Sequence, residues 1–226
     1  MNRINMFVIA AVLAATSSVH AFQVDWTNWT SATTGMSGSA SGVINNDGNV
    51  INVRYTGEVA WAQTNGGENW WLQKTGPEPY TGNPVIDNAP PASDIIVVDK
   101  GNVLNKITFD HALLNPVMAF VSIGRPSLGV NYAFNQDFNL LSEGAGWWGN
   151  GTWTQSGKIL TGNEAHGAIQ FIGNITEISW INYPGEYWHG FTVGTYDSAP
   201  VPEPSTFILL GAGLAGVAFL RRKKKA

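Results

Sequence analysis

Ile51, Val53 and Tyr55 alternate with Asn52 and Arg54, and Val59 and Trp61 carry the pattern past Gly57. A period of two marks a strand with one buried face. Just before it, Gly42-Val43-Ile44 runs into Asn45-Asn46-Asp47-Gly48, whose Asp-Gly step predicts a hairpin turn. Further strands are predicted at residues 23–26, 95–98, 107–109, 117–123, 130–134, 138–141, 152–155, 168–172, 175–182 and 191–196. In 117–123, Val117, Ala119, Val121 and Ile123 point one way and Met118 and Phe120 the other. Both faces are apolar, so that strand is expected at the centre of a sheet. The last three strands read as an up-down-up meander sharing one sheet. Residues 30–41 are mostly Ser, Thr, Gly and Ala, side chains too small to build a core. Residues 61–93 hold Gly66-Gly67 and Pro77, Pro79, Pro84, Pro90 and Pro91, which predicts a long loop of the kind that often carries function. No helical period persists for three turns in this central part. The fold class expected for residues 22–197 is all-β, a jelly-roll-like β-sandwich in one domain.

The two ends of the chain have a different pattern. Arg3, the apolar run 6–15 and Val19-His20-Ala21 form a signal-peptide pattern, with cleavage expected after residue 21. At the other end, Thr206 to Leu220 is fifteen residues without a charge, followed by Arg221, Arg222, Lys223, Lys224 and Lys225. As a helix this run would reach about 22 Å, short of a hydrocarbon core of about 30 Å. Bilayer thinning and snorkelling of the cations make up the difference. A transmembrane helix at 206–220 with a basic cytoplasmic tail at 221–226 is therefore expected.

Charge and cysteine content narrow the class further. There is no cysteine, so neither disulfides nor lipidation of a cysteine is available. Between Phe22 and Pro204, six basic residues face sixteen acidic ones, a formal charge of −10. Such a surface repels nucleic acid and anionic headgroups, so no nucleic-acid partner is expected.

Residues 198–205 form a linker in which Pro202-Glu203-Pro204 directly precedes the apolar span and the basic cluster. This arrangement resembles the PEP-CTERM sorting signal of exopolysaccharide-producing Gram-negative bacteria. The resemblance implies exosortase, a membrane-embedded cysteine transpeptidase, as a partner. It also implies export, with an inner-membrane precursor that later reaches the cell surface or extracellular matrix. The string Ile107-Thr108-Phe109, Asn115-Pro116-Val117, Ser122-Ile123-Gly124, with Gly190-Phe191-Thr192-Val193-Gly194, is similar to β-sandwich ectodomains often joined to this tail. It implies fold and location only.

No catalytic template occurs: no Cys nucleophile, no G-x-S-x-G, no H-E-x-x-H and no Ca²⁺-loop ladder. A non-enzymatic protein without a cofactor is expected, structural or adhesive in an exopolysaccharide layer. Two alternatives stay open. One is a carbohydrate-binding module built on Trp70, Trp71, Trp147, Trp148, Trp153 and Trp188. Trp147-Trp148 sits among Gly144, Gly146, Gly149 and Gly151, where a loop would present flat rings to a sugar. The plainer expectation is that these rings cover loops or cap the sandwich. The other is a glycoside hydrolase or lyase using paired carboxylates. Finally, Glu164-Ala165-His166-Gly167 and Glu186-Tyr187-Trp188-His189-Gly190 are similar approaches to successive strands. In a shared meander their histidines would lie roughly 10 Å apart, close enough to hold a metal with Glu164 and Glu186 or to act as an acid/base pair. Ordinary loop capping is the simpler reading of both.

Overall fold

The computed structural model describes residues 21–72 and 78–196. The expected signal peptide, the sorting linker, the span at 206–220 and the basic tail lie outside the described residues, apart from residue 21. Among the described residues no helix is long and apolar enough to cross a membrane.

The described chain is all-β, with its strands paired antiparallel throughout. In order these are β1 (Asp25–Trp26), β2 (Asn28–Thr33), β3 (Gly35–Asn46), β4 (Asn49–Val59) and β5 (Trp61–Gln63). Next come β6 (Ile95–Val98), β7 (Leu104–Leu114), β8 (Val117–Ile123), β9 (Val130–Phe134) and β10 (Phe138–Gly144). Last are β11 (Thr152–Ser156), β12 (Ile159–Asn163), β13 (Ala165–Phe171), β14 (Asn174–Tyr183) and β15 (His189–Thr195). One sheet runs β10-β13-β8-β15-β6-β5, with β1 also paired to β15; the other runs β11-β12-β9-β14-β7-β4-β3-β2. Together they make a β-sandwich.

The Asp47-Gly48 turn forms as the sequence predicts, both residues at positive φ (46° and 86°) and Asn46 opposite Asn49. β8 is central, between β13 and β15, and buried along its whole length. The small-residue stretch at 30–41 supplies little core, yet it pairs as the edge hairpin β2–β3, where only the ladder is needed. β12 is a strand beyond those predicted.

The last three strands do not share a sheet. β14 pairs with β7 and β9 in the second sheet, while β13 and β15 flank β8 in the first. From β7 onward the chain mostly crosses from sheet to sheet at each step, as a sandwich with both inner faces apolar permits. A period of two says which face of a strand is buried but not which sheet it joins.

The space between the sheets is filled by aromatic rings, including Trp29, Tyr55, Phe120, Tyr132, Phe134, Trp180 and Phe191. A second cluster covers the outer face of the first sheet, where Trp71, Tyr80 and Ile86 of the long loop lie on Ile95, Val97, Val117, Ala119 and Val121. Two such rings bury on the order of 150–250 Å² each, about 4–6 kcal/mol apiece before the entropy of ordering the loop is subtracted. The loop is therefore a third layer, and it accounts for β6 and β8 being apolar on both faces.

Candidate functional site

Aromatic rings collect where that third layer ends. Trp70, on the long loop, is at the centre: Trp61 lies 6.0 Å away, Trp147 4.9 Å, Trp148 5.0 Å and Trp188 5.4 Å between ring centroids. Trp148 and Trp188 meet at 4.3 Å and 86°, forming a right-angled corner. Trp61 comes from β5 and Trp188 from just before β15, while Trp147 and Trp148 come from the connection between β10 and β11. That connection presses close to β13: a Cβ at Gly146 would lie 2.1 Å from His166 Nδ1, so only glycine fits there.

The predicted tryptophans divide by position. Trp71 (2% exposed) packs edge-on against Tyr80, and Trp153 (6% exposed) lies 6.3 Å from Phe120 in the inter-sheet core. Neither presents a face to solvent. Trp70, Trp147 and Trp188 are half-buried in the cluster, and Trp148 is the exposed member at 42%. Trp147 and Trp148 are tilted by 56°, so the doublet is not one flat platform. The arrangement is one open ring on an aromatic base. Trp61 joins the set although its sequence context marks it only as the end of a strand.

Beside Trp148 is a cleft of about 150 Å³. Its aromatic lining is Trp148, Trp188 and Tyr187, the last 81% exposed; its charged lining is Glu164, Glu186 and Arg125. The Arg125 guanidinium lies 5.0 Å over the Tyr187 ring. A cleft of about 300 Å³ shares Arg125, Glu186 and Tyr187 with it and adds Asp99. A larger groove of about 520 Å³ lies elsewhere, against Asn28, Asn45 and Asn88, but its tryptophan, Trp26, is buried.

The two glutamates reach the first cleft through the end of β8, where Ser122 and Gly124 take positive φ (59° and 76°). Ser122 Oγ donates to Glu164 Oε1 at 3.2 Å, and the Gly124 N–H donates to Glu186 Oε1 at 2.6 Å. Glu186 Oε1 also meets His189 Nδ1 at 2.7 Å. Burial raises the Glu164 pKa, the Ser122 hydroxyl lowers it, and the charge of Glu186 raises it again. The two carboxyls therefore sense each other.

The histidines do not join them as a pair. His189 faces the inter-sheet core, its ring 5.3 Å from Tyr132, whereas His166 lies under Gly146 on the other side of the sheet. Strand alternation agrees, since Ala165 beside His166 and Phe191 two residues from His189 both lie in the inter-sheet core. Burial pushes the His166 pKa down to about 4, and its Nδ1 accepts the Ser122 N–H at 3.2 Å. It is thus a neutral ring at pH 7, unsuited to acid/base work there. Among the described residues no three His, Asp or Glu side chains are grouped to hold a metal ion, so Glu164, His166, Glu186 and His189 do not form the metal set considered from sequence.

Comparison with family models matches residues 200–223 to the PEP-CTERM protein-sorting motif. This is a PEP-CTERM domain-containing chain. The match takes in Pro202-Glu203-Pro204, the apolar run and Arg221 to Lys223. It implies export, processing by exosortase at the membrane, and then a surface location. No curated protein and no solved structure matches the chain.

Proposed function

We propose that this PEP-CTERM protein is a non-catalytic adhesive component of an exopolysaccharide layer and that its sandwich holds polysaccharide at the Trp148 cleft. One observation carries the reading: the exposed Trp148 stands against three supporting tryptophans, Trp70, Trp147 and Trp188, beside a cleft lined with charged groups. Aromatic faces gather sugar rings by burying their apolar C–H side, and neighbouring carboxylates accept from hydroxyls. The cleft is smaller than the about 300–1,000 Å³ of sites for drug-sized ligands, so it suits one ring-sized unit of a longer chain. The sorting signal supports the setting, because it directs the protein toward the surface where such a polymer lies.

The test is retention of the full chain, purified in detergent, on the host's own polysaccharide. Trp148→Ala removes the open face while leaving the supporting rings, so retention is expected to fall about tenfold with little change in Tm. Unchanged retention would reject this surface as the contact.

A further inference from the structure

If Trp148 stacks on a sugar, as proposed, the charges around it select which sugar. Glu186 is almost wholly buried, its side chain 3% exposed, and Glu164 is half-buried. Arg125 is exposed on the Tyr187 face. Solvent screens an exposed charge more than a buried one, so the two carboxylates outweigh Arg125 inside the cleft. The adjoining cleft adds a third carboxylate, Asp99. The segment from Phe22 to Pro204, at −10, also repels polyanions at long range. Aromatic rings at right angles together with carboxylates are the surroundings an organic ammonium seeks, through cation–π attraction and charge-assisted hydrogen bonds.

We propose that this cleft recognises a protonated amino sugar, a de-N-acetylated hexosamine unit of a polysaccharide, with its ring on Trp148 and its ammonium toward Glu164 and Glu186. N-acetylation removes the charge and adds bulk, and a uronate unit would bring a like charge against both glutamates. Neighbouring units of the chain then run over the adjoining cleft at Asp99.

The experiment is calorimetric titration of the full chain in detergent, at pH 6 and low salt, with three probes: a glucosamine oligomer, its fully N-acetylated counterpart and a uronate oligomer. The glucosamine oligomer is expected to bind at least about tenfold more tightly than either of the others, the scale of one charge-assisted hydrogen bond. Glu164→Gln should remove most of that preference. Arg125→Gln should strengthen binding by taking away a competing cation, and it gives an independent readout if Glu164→Gln folds poorly. Choline serves as the bare-cation control, and choline competing as well as the oligomer would overturn the sugar assignment. Equal binding of the acetylated and free oligomers, or tighter uronate binding, would overturn amino-sugar selection while leaving the polysaccharide reading in place. Loss of that reading has a separate signature, namely Trp148→Ala retained on the host polysaccharide as well as the unmodified protein.

Discussion

Glu58, at the end of strand β4, shows what a single buried carboxyl contributes. Its oxygens accept the N–H groups of Asp99 (3.0 and 3.1 Å) and Lys100 (2.9 Å). Burial raises its pKa most, the Asp99 carboxyl bonded to it adds to the rise, and the two N–H groups pull the other way, leaving it pushed up to about 7. For Asp99, burial is outweighed by Glu58 and Lys100, and its pKa falls below the ordinary value. Below about pH 7 and above the acid range the pair therefore holds one proton, on Glu58. A carboxyl raised on folding stabilises fully below its unfolded pKa and loses that contribution as pH rises through its folded value. Asp99 works in the opposite sense, but in the acid range. The Tm of the full chain is thus expected to decline between about pH 4.5 and pH 7 and to level off above that, each kcal/mol lost moving it by about 2–4 °C. Glu58→Gln mimics the protonated form and should flatten the decline, as thermal scans across that window would show. An unchanged slope would mean that Glu58 does not titrate there.

At the scale of elements, the β10–β11 connection is what holds the candidate site together. Its Gly146 N–H donates to Gly149 O at 2.8 Å, closing a turn that carries Trp147 and Trp148. Gly146→Ala forces a methyl into the His166 ring, an overpacking that costs about 1–3 kcal/mol. Because the loop is the softer partner, it should lift, loosening Trp148 from Trp70 and Trp188. Near-ultraviolet circular dichroism of the packed tryptophans should weaken along with polysaccharide retention, and an unaltered spectrum would show that the loop tolerates the methyl. The local composition signalled a loop rich in Gly and Trp. It did not reveal that Gly146 is needed for close approach to His166 of β13, because that contact is made only when two distant segments meet.

For the whole molecule, the sorting motif decides where the sandwich ends up. Replacing Pro202-Glu203-Pro204 with three Ala residues should leave an uncleaved precursor in the inner membrane, read by cell fractionation and C-terminal mass. Normal processing of that variant would contradict exosortase recognition through this motif. The sandwich itself should be unaffected, since its clusters are built from residues up to Tyr196.

Alternation by itself determined the all-β class, the Asp47-Gly48 hairpin and the central place of β8, because side-chain period and turn chemistry are local properties of the backbone. The sorting signal was equally legible, being a contiguous string that acts as a string. Tertiary structure alone decided that β14 leaves its sequence neighbours for the other sheet, and that His166 and His189 lie on opposite sides of the first sheet. It also decided that Trp71 and Trp153 are core while Trp148 is open, since tryptophans in similar local settings carry the same signal. Glu164 and Glu186 meet in one cleft because the end of β8 supplies Ser122 and Gly124 between them, a convergence of three segments that no single stretch of sequence encodes.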